Sequence, residues 1–84
     1  MLDENFSYNA DMVNSELQII GKRINELRVE KGISQSRLGD MLSVSQDTVS
    51  LWEKSKSLPP VDMIILLSKI FEVSCDYLLG VSDY

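Results

Sequence analysis

Histidine is absent from this 84-residue chain, and cysteine occurs once, at Cys75. The first absence removes Ser–His and Cys–His nucleophile pairs and every His-ligated metal site. The second removes an internal disulfide framework and any cysteine-based metal centre, so a reducing compartment is the easier setting. Long apolar runs are missing as well. The longest, Met63-Ile64-Ile65-Leu66-Leu67, falls far short of the roughly 20 residues that span a bilayer as a helix. Asp3 and Glu4 stand where a secretory signal carries Lys or Arg. The expectation is a cytoplasmic protein without membrane contact, metal, cofactor or small-molecule ligand. With no carboxylate cluster beside the missing histidine, it is not expected to be an enzyme.

What is present is ordinary for one small globular domain: 44% hydrophobic and 25% charged residues. Acid exceeds base by 13 to 8, a net charge of −5, which at first sight speaks against binding a polyanion. The charge is unevenly placed. Residues 1–20 carry −4 and residues 61–84 carry −3, whereas residues 21–60 carry +2. All the positive potential lies in the middle of the chain.

That middle reads as short helices divided by punctuation. Leu17, Ile20, Ile24 and Leu27 recur at helical spacing, and Gly32 after Lys31 is a stop with a basic last turn. Ser34 is a good N-cap for a second helix with Leu38, Met41 and Leu42 inward. Ser45 caps a third with Val49 and Trp52 inward, three apart. At that spacing Trp52 is expected in the core and not as a base-stacking platform. The loop Ser55-Lys56-Ser57-Leu58-Pro59-Pro60 precedes a fourth helix over Val61–Phe71, and Ser74 caps a fifth over Cys75–Leu79, stopped by Gly80. Cys75 reads as a small filler. Strand-like alternation is absent, so the class is all-α, with about five helices. Residues 1–16 read as a flexible N-terminal leader, 17–80 as the domain and 81–84 as a tail.

Two short capped helices joined by a three- or four-residue turn have the geometry of a DNA-reading helix-turn-helix. Burying Val49 and Trp52 turns Gln46, Asp47, Ser50 and Leu51 outward on the third helix. Gln can bond an adenine edge bidentately, Asp can accept from the cytosine amino group, Ser is permissive and Leu can meet a thymine methyl. Gln35, at the start of the second helix, combines free backbone N–H groups with a side-chain amide and suits a phosphate oxygen.

The runs Gly21-Lys22-Arg23-Ile24-Asn25-Glu26-Leu27-Arg28, Lys31-Gly32-Ile33-Ser34-Gln35, Val44-Ser45-Gln46-Asp47-Thr48-Val49-Ser50-Leu51-Trp52-Glu53, Leu58-Pro59 and Val73-Ser74-Cys75-Asp76-Tyr77-Leu78-Leu79-Gly80, in this order and spacing, resemble the Cro/repressor-type (XRE) helix-turn-helix family across about residues 17–80. The resemblance implies a five-helix lambda-repressor-like domain, a transcriptional regulator and more often a repressor, bound to double-stranded operator DNA as a homodimer. It implies base reading at Gln46, Asp47, Ser50 and Leu51. It implies backbone contacts at Gln35, Thr48, Lys54, Lys56 and Ser57, and an ion pair between Arg28 and Glu53. Three departures from the family pattern stand out. Lys54-Ser55 replaces a common Asn-Gly, and Ser43 replaces a turn glycine, so both turns lack an easy left-handed residue. Gly39 stands where Ala is usual, at a cost of roughly 1 kcal/mol in helix propensity.

The fourth helix is apolar on nearly every side. Val61, Ile64, Leu67, Ser68 and Phe71 form one stripe, and Met63, Leu66 and Ile70 another. A helix of this kind needs cover on both faces. The second stripe, with Tyr77, is expected to form a homodimer interface. The competing cover is the leader, through Leu2, Phe6 or Tyr8. The acidic total and the surplus stripe also leave open a protein-interaction module, an adaptor or antitoxin-like partner in which DNA binding is secondary.

Overall fold

The computed structural model describes residues 10–84, with side chains from residue 17 onward. Among the described residues there are five α-helices and no strand: α1 Ala10–Lys31, α2 Gln35–Leu42, α3 Gln46–Glu53, α4 Val61–Phe71 and α5 Cys75–Leu79. The expected all-α, five-helix architecture is the one this chain adopts. α1 begins within the stretch read as the leader, seven residues before the domain boundary drawn at residue 17. Cover of α4 by Leu2, Phe6 or Tyr8 concerns side chains outside the described residues. No helix among the described residues is long and apolar enough to cross a membrane.

The helix starts are fixed by the same device three times. Ser34, Ser45 and Ser74 sit in extended backbone, and their hydroxyls accept the backbone N–H groups of Arg37, Thr48 and Tyr77 at 3.0, 3.1 and 2.9 Å. Each bond satisfies a donor that the first helical turn leaves free. α4 starts differently, behind Pro60 and with no side-chain cap, and the Asp62 carboxylate accepts from the Met63 N–H at 3.0 Å in its first turn.

The core gathers one stripe from each helix: Ile20 and Ile24, Leu38 and Leu42, Val49 and Trp52, Ile64, Leu67 and Phe71, and Leu78. Trp52 is a core residue, 3% exposed. Two residues expected inside are outside. Met41 is exposed because the buried arc of α2 is centred between Leu38, Gly39 and Leu42, which leaves Met41 about 100° round the helix. Val61 is 76% exposed. It lies nearly 90° from the centre of the arc made by Ile64, Leu67 and Phe71, by roughly 100° per residue, and in the first turn nothing covers it.

Glycine 39 is demanded by the turn. A Cβ there stands 2.6 Å from the Val44 carbonyl oxygen, so α2 comes closer to the α2–α3 turn than an alanine allows. That turn passes through Ser43 in the left-handed region, φ 59° and ψ 39°, and Ser55 after α3 has φ 60°. Glu72 at the end of α4 shares this conformation, φ 57°, with no glycine-replacing pattern to announce it. Left-handed backbone costs a residue with a Cβ about 1–2 kcal/mol, and the freer unfolded chain of a glycine offsets part of the gain. Ser43→Gly is therefore expected to stabilise the domain by about 0.5–1 kcal/mol, raising Tm by several degrees in a thermal melt.

α1 and α5 are clasped by Arg23. Its guanidinium lies 4.1 Å from the centre of the Tyr77 ring, donates from Nη1 to the Tyr77 carbonyl, and donates again to the Ser82 carbonyl at 2.8 Å. The planar cation satisfies carbonyls at the end of α5 while stacking on an aromatic face.

Candidate nucleic-acid interface

α2 and α3 pack on one another and α1 lies against α3, so the short pair is held from behind by the long first helix. The α2–α3 turn is closed by backbone bonds: Val44 N–H donates to the Gly39 carbonyl at 2.9 Å and Ser43 N–H to the Asp40 carbonyl at 3.3 Å. With Val49 and Trp52 buried, α3 leaves Gln46, Asp47 and Leu51 exposed and Ser50 half-buried. These four share the outer side of one helix and present an amide, a carboxylate, a hydroxyl and an isobutyl group. Thr48 is half-buried, and its hydroxyl lies 2.9 Å from that of Ser45.

The loop after α3 is also fixed by its backbone. Lys54 N–H donates to the Ser50 carbonyl at 3.0 Å, Ser55 N–H to Trp52 at 3.1 Å and Lys56 N–H to Leu51 at 2.9 Å. Lys54, Lys56 and Ser57 are exposed on it. Their side chains thus extend from a loop tied directly to the last turn of α3.

At the base of this surface lies Glu53, its side chain only 4% exposed. Arg28 grips it with two bonds, Nε to Oε2 at 2.7 Å and Nη2 to Oε1 at 3.1 Å. Asn25 Nδ2 and Gln35 Nε2 donate to the same Oε1 at 2.7 and 3.1 Å, and Arg28 Nη1 donates to the Ile33 carbonyl at 2.8 Å. One carboxylate therefore joins α1, the entry to α2 and the end of α3. Burial pushes the Glu53 carboxyl up, but the hydrogen bonds from Arg28, Asn25 and Gln35, with the guanidinium charge, hold it below its ordinary range. The hydrogen bond to Glu53 raises the Arg28 guanidinium in turn.

Gln35 is half-buried and points partly inward. Its amide keeps one N–H beyond the bond to Glu53. The backbone N–H groups of Gln35 and Ser36 precede the first intrahelical bond, Leu38 N–H to the Ser34 carbonyl at 3.0 Å, and are open to an acceptor. Of the four residues expected at a homodimer interface, Leu66 is exposed. Met63 and Ile70 are half-buried against the core, and Tyr77 carries Arg23 over its ring.

The roles of Asn25 and Arg23 were not read from the sequence. Asn25 precedes Arg28 by three residues and so shares its helix face, a signal that was available. Arg23 answers carbonyls more than fifty residues away, for which no local signal exists. Among the described residues, no group of three or more Cys, Asp and Glu side chains is arranged to hold a metal ion.

A small all-α domain with two capped helices, a tight turn and an outward polar face on the second helix defines the helix-turn-helix class. The family model described as "Helix-turn-helix" matches residues 24–78, more than half of the chain, and the chain belongs to that family. It is similar to repressor protein C2 of Salmonella phage P22, 40% identical over 62 residues that make 74% of this chain and 29% of that protein. It is also similar to the HTH-type transcriptional regulator ImmR of Bacillus subtilis, 34% identical over 61 residues, 73% of this chain and 48% of ImmR. The chain thus spans less than half the length of these two relatives. Among solved structures, the P22 c2 repressor protein in complex with a synthetic operator superposes with a TM-score of 0.70 at 38% identity, covering 75% of this chain and 96% of that one.

Proposed function

We propose that the chain is a sequence-specific DNA-binding transcriptional regulator, a repressor working in the cytoplasm by occupying an operator without catalysing any reaction. The observation that carries this reading is the outer side of α3, where Gln46, Asp47, Ser50 and Leu51 stand on a helix fixed at both ends by backbone bonds. In this role α3 enters the major groove, and Gln46 and Asp47 near its N-terminus meet base edges. Gln35 and the open N–H groups of α2 take one phosphate, Thr48 lies at the groove edge, and Lys54, Lys56 and Ser57 take others. The repressor function and operator-bound state of the phage relative support the same assignment.

Two copies are proposed to place their α3 helices in successive major grooves about 34–36 Å apart on a pseudo-palindromic site. The proposed interface is Met63, Leu66, Ile70 and Tyr77, supported by the exposed apolar surface of Leu66, Leu79 and Val81. Sedimentation at micromolar concentration without DNA is expected to show a dimer, and a monomer there overturns this part of the proposal.

Nuclease protection on DNA flanking the chain's own gene tests the function. A protected palindrome is expected, and Gln46→Ala should cost about 1–3 kcal/mol of discrimination at the contacted base. Few cations serve the surface, so the logarithm of affinity should fall gently with the logarithm of salt; a slope as from six or more neutralised phosphates per protomer is the contrary result. The second reading, a protein-interaction module with weak DNA binding, rests on the acidic total and the exposed apolar side chains. Affinity no better than nonspecific at low salt, with a protein partner co-purifying, would favour it.

A further inference from the structure

We infer that the DNA-backbone surface extends beyond the α3–α4 loop onto α1, where Lys22 and Gln18 contact the phosphodiester chain; this rests on the DNA-binding reading above. Two open grooves carry the inference. The first, of about 590 Å³, is lined by Gln18, Lys22, Asn25, Glu53, Lys54 and Ser55. The second, of about 340 Å³, shares Gln18, Lys54 and Ser55 and adds Lys56 and Ser57. The three shared residues make them one continuous channel beside the end of α3.

Gln18, Lys22 and Asn25 are spaced four and three residues apart, so they lie on one face of α1. That face is brought against the loop because Gly21 admits the Trp52 carbonyl where a Cβ would stand 2.2 Å from it. The charge of the channel is one-sided. Among the described residues, Lys22, Lys54 and Lys56 line it, and the single lining carboxylate, Glu53, is held by Arg28, Asn25 and Gln35. Lys22 also faces Glu26, at 3.9 Å with both side chains largely exposed. So wet a pair leaves the ammonium available to a phosphate. Amides and hydroxyls from Gln18, Ser55 and Ser57 add neutral donors between the cations. Leu17, Ile19 and Leu58 complete the lining beside these donors. An open channel continuous with the loop after the recognition helix suits an extended polyanion, because each phosphate along a strand can meet a different donor.

The test is the salt dependence of binding to a mixed-sequence duplex, measured on the full chain. Lys22→Gln, at an exposed position, is expected to keep the melting temperature. It should lower the slope of log affinity against log salt by about 0.9 for each engaged protomer, on this duplex and on the protected palindrome alike. Lys69→Gln, an exposed cation on α4 outside the channel, is the control and should leave the slope unchanged. An unchanged slope in Lys22→Gln, with Lys54→Gln still lowering it, overturns the extension onto α1 and leaves the DNA-binding reading standing. Equal losses in Lys22→Gln and Lys69→Gln reduce the effect to net charge and overturn it too. A wild-type chain that binds no DNA removes both. Millimolar inorganic phosphate is expected not to shift the amide resonances of residues 18–25; saturable shifts there reassign the channel to a free anion.

Discussion

Glu53→Ala is expected to destabilise the domain by about 2–3 kcal/mol, because it leaves the half-buried Arg28 guanidinium without its counter-ion. Arg28 is only 13% exposed and Glu53 4%, and the lost carboxylate also orphans the amide donors of Asn25 and Gln35. In a domain of this size, each kcal/mol moves Tm by roughly 4–8 °C, so the effect is plain in thermal or urea melts. Arg28→Ala should cost a similar amount by stranding the carboxylate. The double variant Arg28→Ala with Glu53→Ala is expected to cost less than the two single losses together, since no half-buried charge is left alone. Full additivity in that cycle would falsify the account of one coupled network.

The same network has a pH signature with a definite sign. The Glu53 carboxyl is held below its ordinary value in the folded state. Its contribution to stability is therefore complete above the unfolded value, about 4.3 for a glutamate. It is lost as pH falls through the folded value, where the native carboxylate takes up its proton. Acid titration of Glu53→Gln should lack that part of the loss.

Gly21→Ala is expected to cost about 3 kcal/mol, at the upper end of ordinary overpacking. The added methyl meets the Trp52 carbonyl oxygen at 2.2 Å and the Glu53 carbonyl at 3.1 Å, and backbone cannot rotate aside as a long side chain can. Relief requires α1 and α3 to separate, which loosens Asn25 and Arg28 from Glu53 as well. The alanine gains nearly 1 kcal/mol of helix propensity, so a chain more stable than wild type in a urea melt would show that the close crossing carries no weight. Base preference is expected to stay intact in the folded fraction, because the outer side of α3 is unchanged, while any change in salt slope should not exceed that of Lys22→Gln.

Much of the fold is legible because it is written locally. The serine caps at 34, 45 and 74 act within three residues, the stripes of α1 and α3 follow helical periodicity, and Ser43 and Ser55 occupy turns whose backbone favours glycine. The outward set Gln46, Asp47, Ser50 and Leu51 follows once Val49 and Trp52 are placed inside. Met41 and Val61 were misplaced for a shared reason. Hydrophobicity marks a residue as able to be buried, whereas the arc that is buried depends on which neighbouring helix arrives and at what rotation.

By itself, then, the sequence determined the helices, their caps, their turns and the polar character of the exposed side of α3, since each depends on residues a few positions apart. Tertiary structure decided the rest. It set Gln35 against Glu53, closed Arg23 over Tyr77, required Gly21 at the helix crossing and drew Lys22 alongside Lys54. These contacts join residues 18 to 54 positions apart, and they arise from how helices cross, a geometry that no single helix encodes.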